Sequence, residues 1–292
     1  MEDFGPDWCV QPRTPGDLHL FQRLETRVVR RTAFQEVEIS RLETCGWTLI
    51  LDGLIQSSEV DEKLYHELLV HPALLAHPDP RQILVLGTGE GATAREILRH
   101  PSVEHVAMVD IDPEVVDLCK KWLPSWNAGA FDDPRAELVT GDAAGYLGAA
   151  APGRFDAIIM DLTGPDFGPA STLYSRAFFE LVHSRLSANG VFVTQGSGEH
   201  YLLGSPFESI GRLLSELYPA TLSYAELIPS FDELWIYVLA GGPEVAALSA
   251  ARVRAESERR GIVLTHYGED LHRHVTGWPF LQAWREDTLI GG

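Results

Sequence analysis

The 292-residue chain holds only three cysteines, Cys9, Cys45 and Cys119. Their spacing fits no metal-ligand pattern. So low a count argues against a disulfide framework and points to a reducing compartment. No apolar run approaches the roughly 18 residues of a membrane-crossing helix. The opening MEDFGPDWCV has neither the basic stretch nor the apolar core of a secretory leader. A cytoplasmic protein without membrane association is expected. Positive charge is scarce: 23 Lys and Arg stand against 42 Asp and Glu, a formal charge of −19. Such a chain should repel nucleic acid and anionic lipid and would attract a cationic partner, although the charge by itself reads first as serving solubility. Repeats, low-complexity segments and long linkers are also missing. The length then suits one large domain, or a large one with a small appendage.

What is present is a change of pattern along the chain. Residues 18–56 are β-rich, with Leu24–Val29, Gln35–Leu42 and Trp47–Leu51 as strand candidates. Cys45-Gly46 and Asp52-Gly53 mark turns between them. Ser58–Leu75 reads as a helix that Ser58 can cap, with Asp61 and Glu62 at its positive end and Pro72 near its close. From Ile83 strands alternate with helices. Strands are expected at 83–86, 105–110, 136–140, 155–160 and 190–195, with helices that include 113–122 and 171–186. Two more strands, Leu222–Ile228 and Leu234–Ala240, precede a helix around 243–260. This alternation predicts an α/β chain with a doubly wound, mostly parallel sheet and a ligand at the strands' carboxyl ends. The division expected is 1–57, β-rich, and 58–292, the larger α/β unit.

The stretch Leu84–Asp112 carries the most specific information. An apolar strand ends in Gly87-Thr88-Gly89-Glu90-Gly91, a helical pattern with Ala94, Ile97 and Leu98 on one face follows, and a second strand ends in Asp110. Glycines let backbone approach a ligand, and an acid roughly 20 residues further on can take both hydroxyls of a ribose. The G-x-G-x-G spacing favours an adenosyl-sulfonium over a dinucleotide. Strand ends also deliver Glu90, Asp110, Asp142 and Asp161. Taken singly, each acid reads as a solvated loop residue or a helix cap. Together in one crevice they would repel unless a cationic ligand relieved them.

Several segments resemble the polyamine aminopropyltransferases, the spermidine and spermine synthase family. They are LDGLIQSSEVDEKLYHELLVHPALLAHPDP, GTGEGATAREILRHPSVEHVAMVDID, GDAAGYL, FDAIIMDLTGP and VFVTQG. The likeness spans about residues 20–292. It implies a class I methyltransferase-like, Rossmann-like fold with a small N-terminal β domain. It also implies transfer of an aminopropyl group from decarboxylated S-adenosylmethionine to an amine, releasing methylthioadenosine. On that likeness Asp161 is the catalytic acid-base group. The donor is bound by Gln56, Gly87, Gly89, Glu90, Asp110, Asp142 and Ala143. Glu90 would hold its primary amine, Asp110 its ribose, and Asp142 with Ala143 its adenine. Tyr65 and His66 would line the amine pocket. Thr88 stands where the family's turn usually has a third glycine. No resident cofactor and no metal is implied, the donor being a co-substrate, and a homodimer or larger homo-oligomer is expected.

The acceptor region separates subgroups. Spermidine synthases usually read D-S-S-D-P where this chain has Asp161-Leu162-Thr163-Gly164-Pro165, so the second acid is gone and Asp166 lies beyond the proline. That stretch, and Ile228-Pro229-Ser230-Phe231-Asp232-Glu233-Leu234-Trp235, resemble spermine synthases. Glu233 and Trp235 would then hold a longer acceptor, and spermidine would become spermine. The stretch from Trp126 to Arg135 instead resembles bacterial triamine and plant thermospermine enzymes. Thermospermine synthase and spermidine synthase remain alternatives. So do a methyltransferase of the same fold and a non-catalytic polyamine-binding protein.

Overall fold

Short strand-forming runs between turn residues build five strands at the N-terminus: β1 (Trp8–Thr14), β2 (Asp17–Arg31), β3 (Glu36–Leu42), β4 (Gly46–Leu51) and β5 (Leu54–Ser58). They pair antiparallel in sequence order. The structure, a computed structural model, describes residues 5–14, 17–164, 169–198, 207–278 and 281. Asp52 and Gly53, both at positive φ, form the two-residue β4–β5 turn, the Asp-Gly chemistry that such hairpins favour.

The second sheet holds β6 (Gln82–Leu86), β7 (His105–Asp110), β8 (Ala136–Thr140), β9 (Phe155–Met160), β10 (Leu186–Gly198), β11 (Ala220–Ile228) and β12 (Glu233–Gly241). Its order is β11-β12-β10-β9-β6-β7-β8. Strands β10 through β8 run parallel, and β12 is antiparallel to both its neighbours. The helices are α1 (Glu62–Ala76), α2 (Ala92–Leu98), α3 (Pro113–Trp122), α4 (Pro124–Asn127), α5 (Ala143–Ala149), α6 (Arg176–Arg185), α7 (Phe207–Leu217), α8 (Pro243–Ala246), α9 (Ala250–Arg260) and α10 (Glu269–Val275).

Alternate residues of each strand serve opposite faces, and both faces are covered. Ile83 and Val85 pack with Leu68, Leu69 and Leu75 of α1, Ile97 of α2 and Val253 of α9. Leu84 and Leu86 pack with Leu147 of α5, Phe178 and Phe179 of α6, and Leu214 of α7. The five-stranded sheet seats Val37, Ile39 and Leu49 against Val115, Cys119, Leu123 and Trp126. This is a Rossmann-like, doubly wound α/β arrangement with an N-terminal β-sheet. Among the described residues no helix is long and apolar enough to cross a membrane.

Some boundaries differ from the sequence reading. β1 and β5 were not anticipated, and β2 begins at Asp17 rather than Leu24. Ser58 does not cap α1, because it still pairs with Thr48 in β5; its hydroxyl donates to Asp61, the actual N-cap residue (2.9 Å). Pro72 lies inside α1, four residues before the helix ends. The expected helix at 171–186 is a 3₁₀ turn, Pro169–Leu173, followed by α6. That at 243–260 breaks into α8 and α9, where Ser249 accepts the Arg252 amide (3.3 Å) and starts a new helix.

Candidate active site

The strand order reverses at β6, which lies between β9 and β7. A crevice opens at such a point beyond the strands' carboxyl ends. Gly87 leaves β6 at φ +84, and a Cβ there would sit 2.1 Å from the Asp161 carbonyl oxygen. Only glycine lets the ends of β6 and β9 meet this closely. Gly91, at φ +83, is the N-cap of α2, and its Cβ would strike the Phe131 ring at 2.6 Å. The turn between them is held by Asp110, whose Oδ2 accepts the Thr88 and Gly89 amides at 2.9 Å each. Asp110 Oδ1 accepts the Asp112 amide (2.9 Å). A carboxylate offers about four acceptor positions. With three engaged, Asp110 can accept one further hydroxyl here; gripping two requires the turn to give up an amide.

Asp161 follows β9 directly and is ringed by side chains from three other elements. Tyr65 of α1 donates its hydroxyl to Oδ1 (3.1 Å), and Thr93 of α2 donates to Oδ2. His66 Nε2 lies 3.3 Å from Glu90 Oε1 of the glycine turn and 3.8 Å from Asp161 Oδ2. His66 Nδ1 is fixed from behind, 2.5 Å from the Glu62 carbonyl and 3.4 Å from Glu62 Oε2. Arg95 clamps the same Glu62 carboxylate through two nitrogens (2.8 and 3.1 Å).

These contacts set the protonation of the cluster. Burial raises the Asp161 carboxyl above its ordinary value and Glu90 adds to the rise, while His66, Thr93 and Tyr65 hold it back. Burial works against a charge on His66, but Glu62, Glu90 and Asp161 outweigh it and push the imidazole up to about 10. Burial and the Asp161 charge keep the Tyr65 phenol well above the usual tyrosine range, so it stays a donor. A buried acid of raised pKa in a cleft is suited to accept a proton near neutrality.

The four strand-end acids do not meet at one point. Glu90 and Asp161 converge on His66, Asp110 holds the turn, and Asp142 is an exposed N-cap of α5 that accepts the Gly145 amide (2.7 Å). Ala143, buried, is the first residue of that helix. Gln56 sits half-buried on β5 with its amide on the Leu54 carbonyl (3.3 Å). Sequence reasoning missed Thr93, Glu62 and Arg95. The i, i+4 spacing of Glu62 and His66 was the available clue to one of them.

The segment Ile228–Trp235 is seated against the same cluster. Phe231 packs on Tyr65 (ring centroids 5.9 Å apart) and on Trp235 (4.6 Å). Asp61, the N-cap of α1, accepts both the amide and the hydroxyl of Ser230 (2.7 and 3.0 Å). Glu233 opens β12 with its carboxylate over Gly198, where a Cβ would meet Oε2 at 1.7 Å. Trp235 Nε1 is buried without a hydrogen-bond partner among the described residues. Gly164 ends the described part of its loop, and Pro165 and Asp166 lie outside the described residues.

A second polar network lies deeper. Glu67, His71 and Glu96 bring oxygen and nitrogen atoms within 4.8 Å of one another. Those atoms already have partners. Glu67 accepts the Thr265, His266 and Tyr267 amides (2.8, 2.7 and 2.7 Å), and Glu96 takes Arg95, Arg99 and His71 (2.8, 2.8 and 3.0 Å). Burial opposes the Glu96 charge, yet His71 and Arg95 hold its carboxyl well below the usual range. The group ties α1 to α2 through ion pairs and hydrogen bonds.

Comparison with known proteins identifies the family. A sequence model of the spermine/spermidine synthase domain matches residues 62–248. Polyamine aminopropyltransferase 2 of Pseudomonas aeruginosa is 42% identical over 241 residues, covering 82% of this chain and 69% of that protein. Polyamine aminopropyltransferase 1 of Hyperthermus butylicus is 44% identical over 252 residues, covering 85% and 86%. Among solved structures, a spermidine synthase in complex with the transition-state analogue AdoDATO superposes with a TM-score of 0.87 at 28% identity, covering 95% of this chain and 94% of that one. Spermidine synthase from Thermotoga maritima gives 0.85 at 28%, covering 95% and 93%. The chain belongs to the spermine/spermidine synthase family, the polyamine aminopropyltransferases.

Proposed function

We propose that this enzyme moves the aminopropyl group of decarboxylated S-adenosylmethionine to spermidine, giving spermine and methylthioadenosine. The observation that carries the acceptor assignment is the seating of Ile228–Trp235 on Tyr65 through Phe231, beside a strand end whose second acid is replaced by Gly164. A four-carbon diamine would lose the clamp that an acid at 164 provides. A longer triamine can reach Glu233 and still present a primary amine to Asp161.

The reaction is a direct displacement at the carbon next to sulfur. The sulfonium makes methylthioadenosine a good leaving group, so the chemistry needs neither a metal nor a resident cofactor. The nucleophile is the obstacle. An alkylamine of pKa about 10.4 must shed its proton, which costs roughly 4–5 kcal/mol at pH 7. Asp161 orients the amine and accepts that proton, with Tyr65 and Thr93 fixing its two oxygens. Glu90 holds the donor's primary amine, while Asp110, Asp142, Ala143, Gln56, Gly87 and Gly89 hold its nucleoside. Holding both substrates in line supplies much of the acceleration. A methyltransferase has less use for Glu90, since S-adenosylmethionine brings its own carboxylate.

The division into 1–57 and 58–292, from the change of sequence pattern, a cytoplasmic location, from the few cysteines, and a homodimer or larger assembly, from family resemblance, belong to the same reading. The stretch from Trp126 to Arg135, which resembles bacterial triamine and plant thermospermine enzymes, supports thermospermine synthase as the alternative reading. Incubation with decarboxylated S-adenosylmethionine and a panel of amines, followed by chromatography, tests the reading. Spermine and methylthioadenosine from spermidine support it. A tetraamine running with thermospermine reverses the acceptor's direction in the pocket, and a triamine from putrescine alone refutes the acceptor assignment.

A further inference from the structure

A site that must bind two cationic substrates already contains a cation. His66 is buried at 3% side-chain exposure, with one ring nitrogen on Glu62 and the other facing Glu90 and Asp161. We infer that His66 is a placeholder cation: the Nε2 proton that faces Glu90 and Asp161 leaves to solvent when the donor's primary ammonium takes its place, so donor binding releases one proton.

The geometry makes the exchange neutral and local. Nδ1 lies 2.5 Å from the Glu62 carbonyl, so its proton stays. Glu62 cannot swing away, because two Arg95 nitrogens grip its carboxylate and Arg95 is itself tied to the Trp126 carbonyl (2.6 Å). Only Nε2 faces the crevice. Losing its proton leaves a lone pair there, which can accept a hydrogen bond from the incoming ammonium. At the Glu90–Asp161 pair the ammonium's charge enters as the imidazolium's leaves, so these carboxylates keep a counter-charge, whose loss is costly in a dry site, and the donor's sulfonium charge comes in addition.

The charged and titratable groups around His66 fall on every packed element: Asp61, Glu62 and Tyr65 from α1, Glu90 from the turn, Asp161 from β9, and Arg95 from α2 behind Glu62. Glu62, Glu90 and Asp161 keep His66 charged through the neutral range before the donor binds. An ammonium placed against Glu90 takes two of those carboxylates, Glu90 and Asp161, as its own partners. It also sits close to the imidazolium, and like charges that near disfavour one another.

The inference rests on the proposed donor and on Glu90 holding its amine. Calorimetric binding to the full chain at pH 8, in buffers of different ionisation enthalpy, counts protons released. The probes are decarboxylated S-adenosylmethionine and methylthioadenosine, which lacks the aminopropyl ammonium. Wild type should release close to one proton with the former and none with the latter. Its affinity for the former should rise up to about tenfold per pH unit from 7 to 9, the linkage of one released proton. His66→Gln should bind the donor without release, which separates His66 from Asp161 as the proton's source. Equal proton counts for the two probes in wild type, a comparison that needs no variant, would overturn the exchange and leave the donor reading standing. Release that persists in His66→Gln also overturns it. Binding of methylthioadenosine but not of the donor would overturn both.

Discussion

The Tyr224 hydroxyl donates to the Leu68 carbonyl at 2.9 Å, four residues before Pro72 in α1. Proline has no amide hydrogen, so that carbonyl lacks its helical partner. Tyr224 on β11 supplies the missing donor across the core, and α1 passes through Pro72 without ending. α1 also carries Glu62, Tyr65 and His66, so the bond keeps the site's main helix in place.

Tyr224→Phe should therefore cost stability but little activity. A buried carbonyl left without a partner costs about 1–3 kcal/mol. Urea denaturation should show that loss with kcat near the wild-type value. A variant as stable as wild type would show that the Leu68 carbonyl finds another donor.

Asp161→Asn should lower kcat at least about a hundredfold while nearly preserving donor affinity, because the amide cannot accept the amine proton and general-base catalysis is worth roughly 10²–10⁴-fold. Of Tyr65 and Thr93, one hydroxyl can still donate to the amide oxygen and the other can turn to accept from the amide NH2, so the fold should hold. Steady-state rates and calorimetry check both halves. Retention of more than about a tenth of kcat would remove Asp161 from the proton transfer.

Asp110→Ala removes an acceptor from the Thr88 and Gly89 amides and, on the proposed donor reading, from a ribose. Methylthioadenosine affinity should drop at least about tenfold, one charge-assisted hydrogen bond being worth roughly 1.5–3 kcal/mol, and Tm should fall too. A lower Tm with unchanged methylthioadenosine affinity would make Asp110 a turn-holding residue only.

His66 also gives stability a pH dependence. Its folded-state pKa, about 10, lies above the ordinary histidine value of 6.5. The stabilisation it supplies is complete below pH 6.5 and is lost as pH rises toward 10. The stability gap between wild type and His66→Gln should thus narrow from pH 6 to pH 10 in denaturation midpoints. A constant gap would mean that His66 stabilises by packing rather than by charge.

Much of this was legible in the sequence because period and turn chemistry are local. Ile83–Leu86 and the glycines after it announce a buried parallel strand and a turn, and Asp110 ends the next strand as its spacing suggests. The partners of Asp161 were legible only in part. Tyr65 followed from family resemblance, but Thr93 is a buried hydroxyl on a short helix, and its direction depends on how α2 packs. Arg95 reads as a solvated helix residue until α1 lies beside it. Asp110's grip on the turn was hidden because it joins two strand ends that only the sheet makes neighbours. Ser58 misled because a capping residue type sat within a strand that the pattern did not reveal.

A competition assay addresses the acceptor most directly. Equal concentrations of putrescine and spermidine compete for limiting decarboxylated S-adenosylmethionine labelled in its aminopropyl group, and early label is separated into triamine and tetraamine. The ratio gives the two kcat/KM values relative to one another. With Gly164 in place of a clamping acid and Glu233 farther along, label should enter tetraamine at least about tenfold faster, the value of one charge-assisted contact. Label that accumulates first in triamine would contradict spermidine as the preferred acceptor.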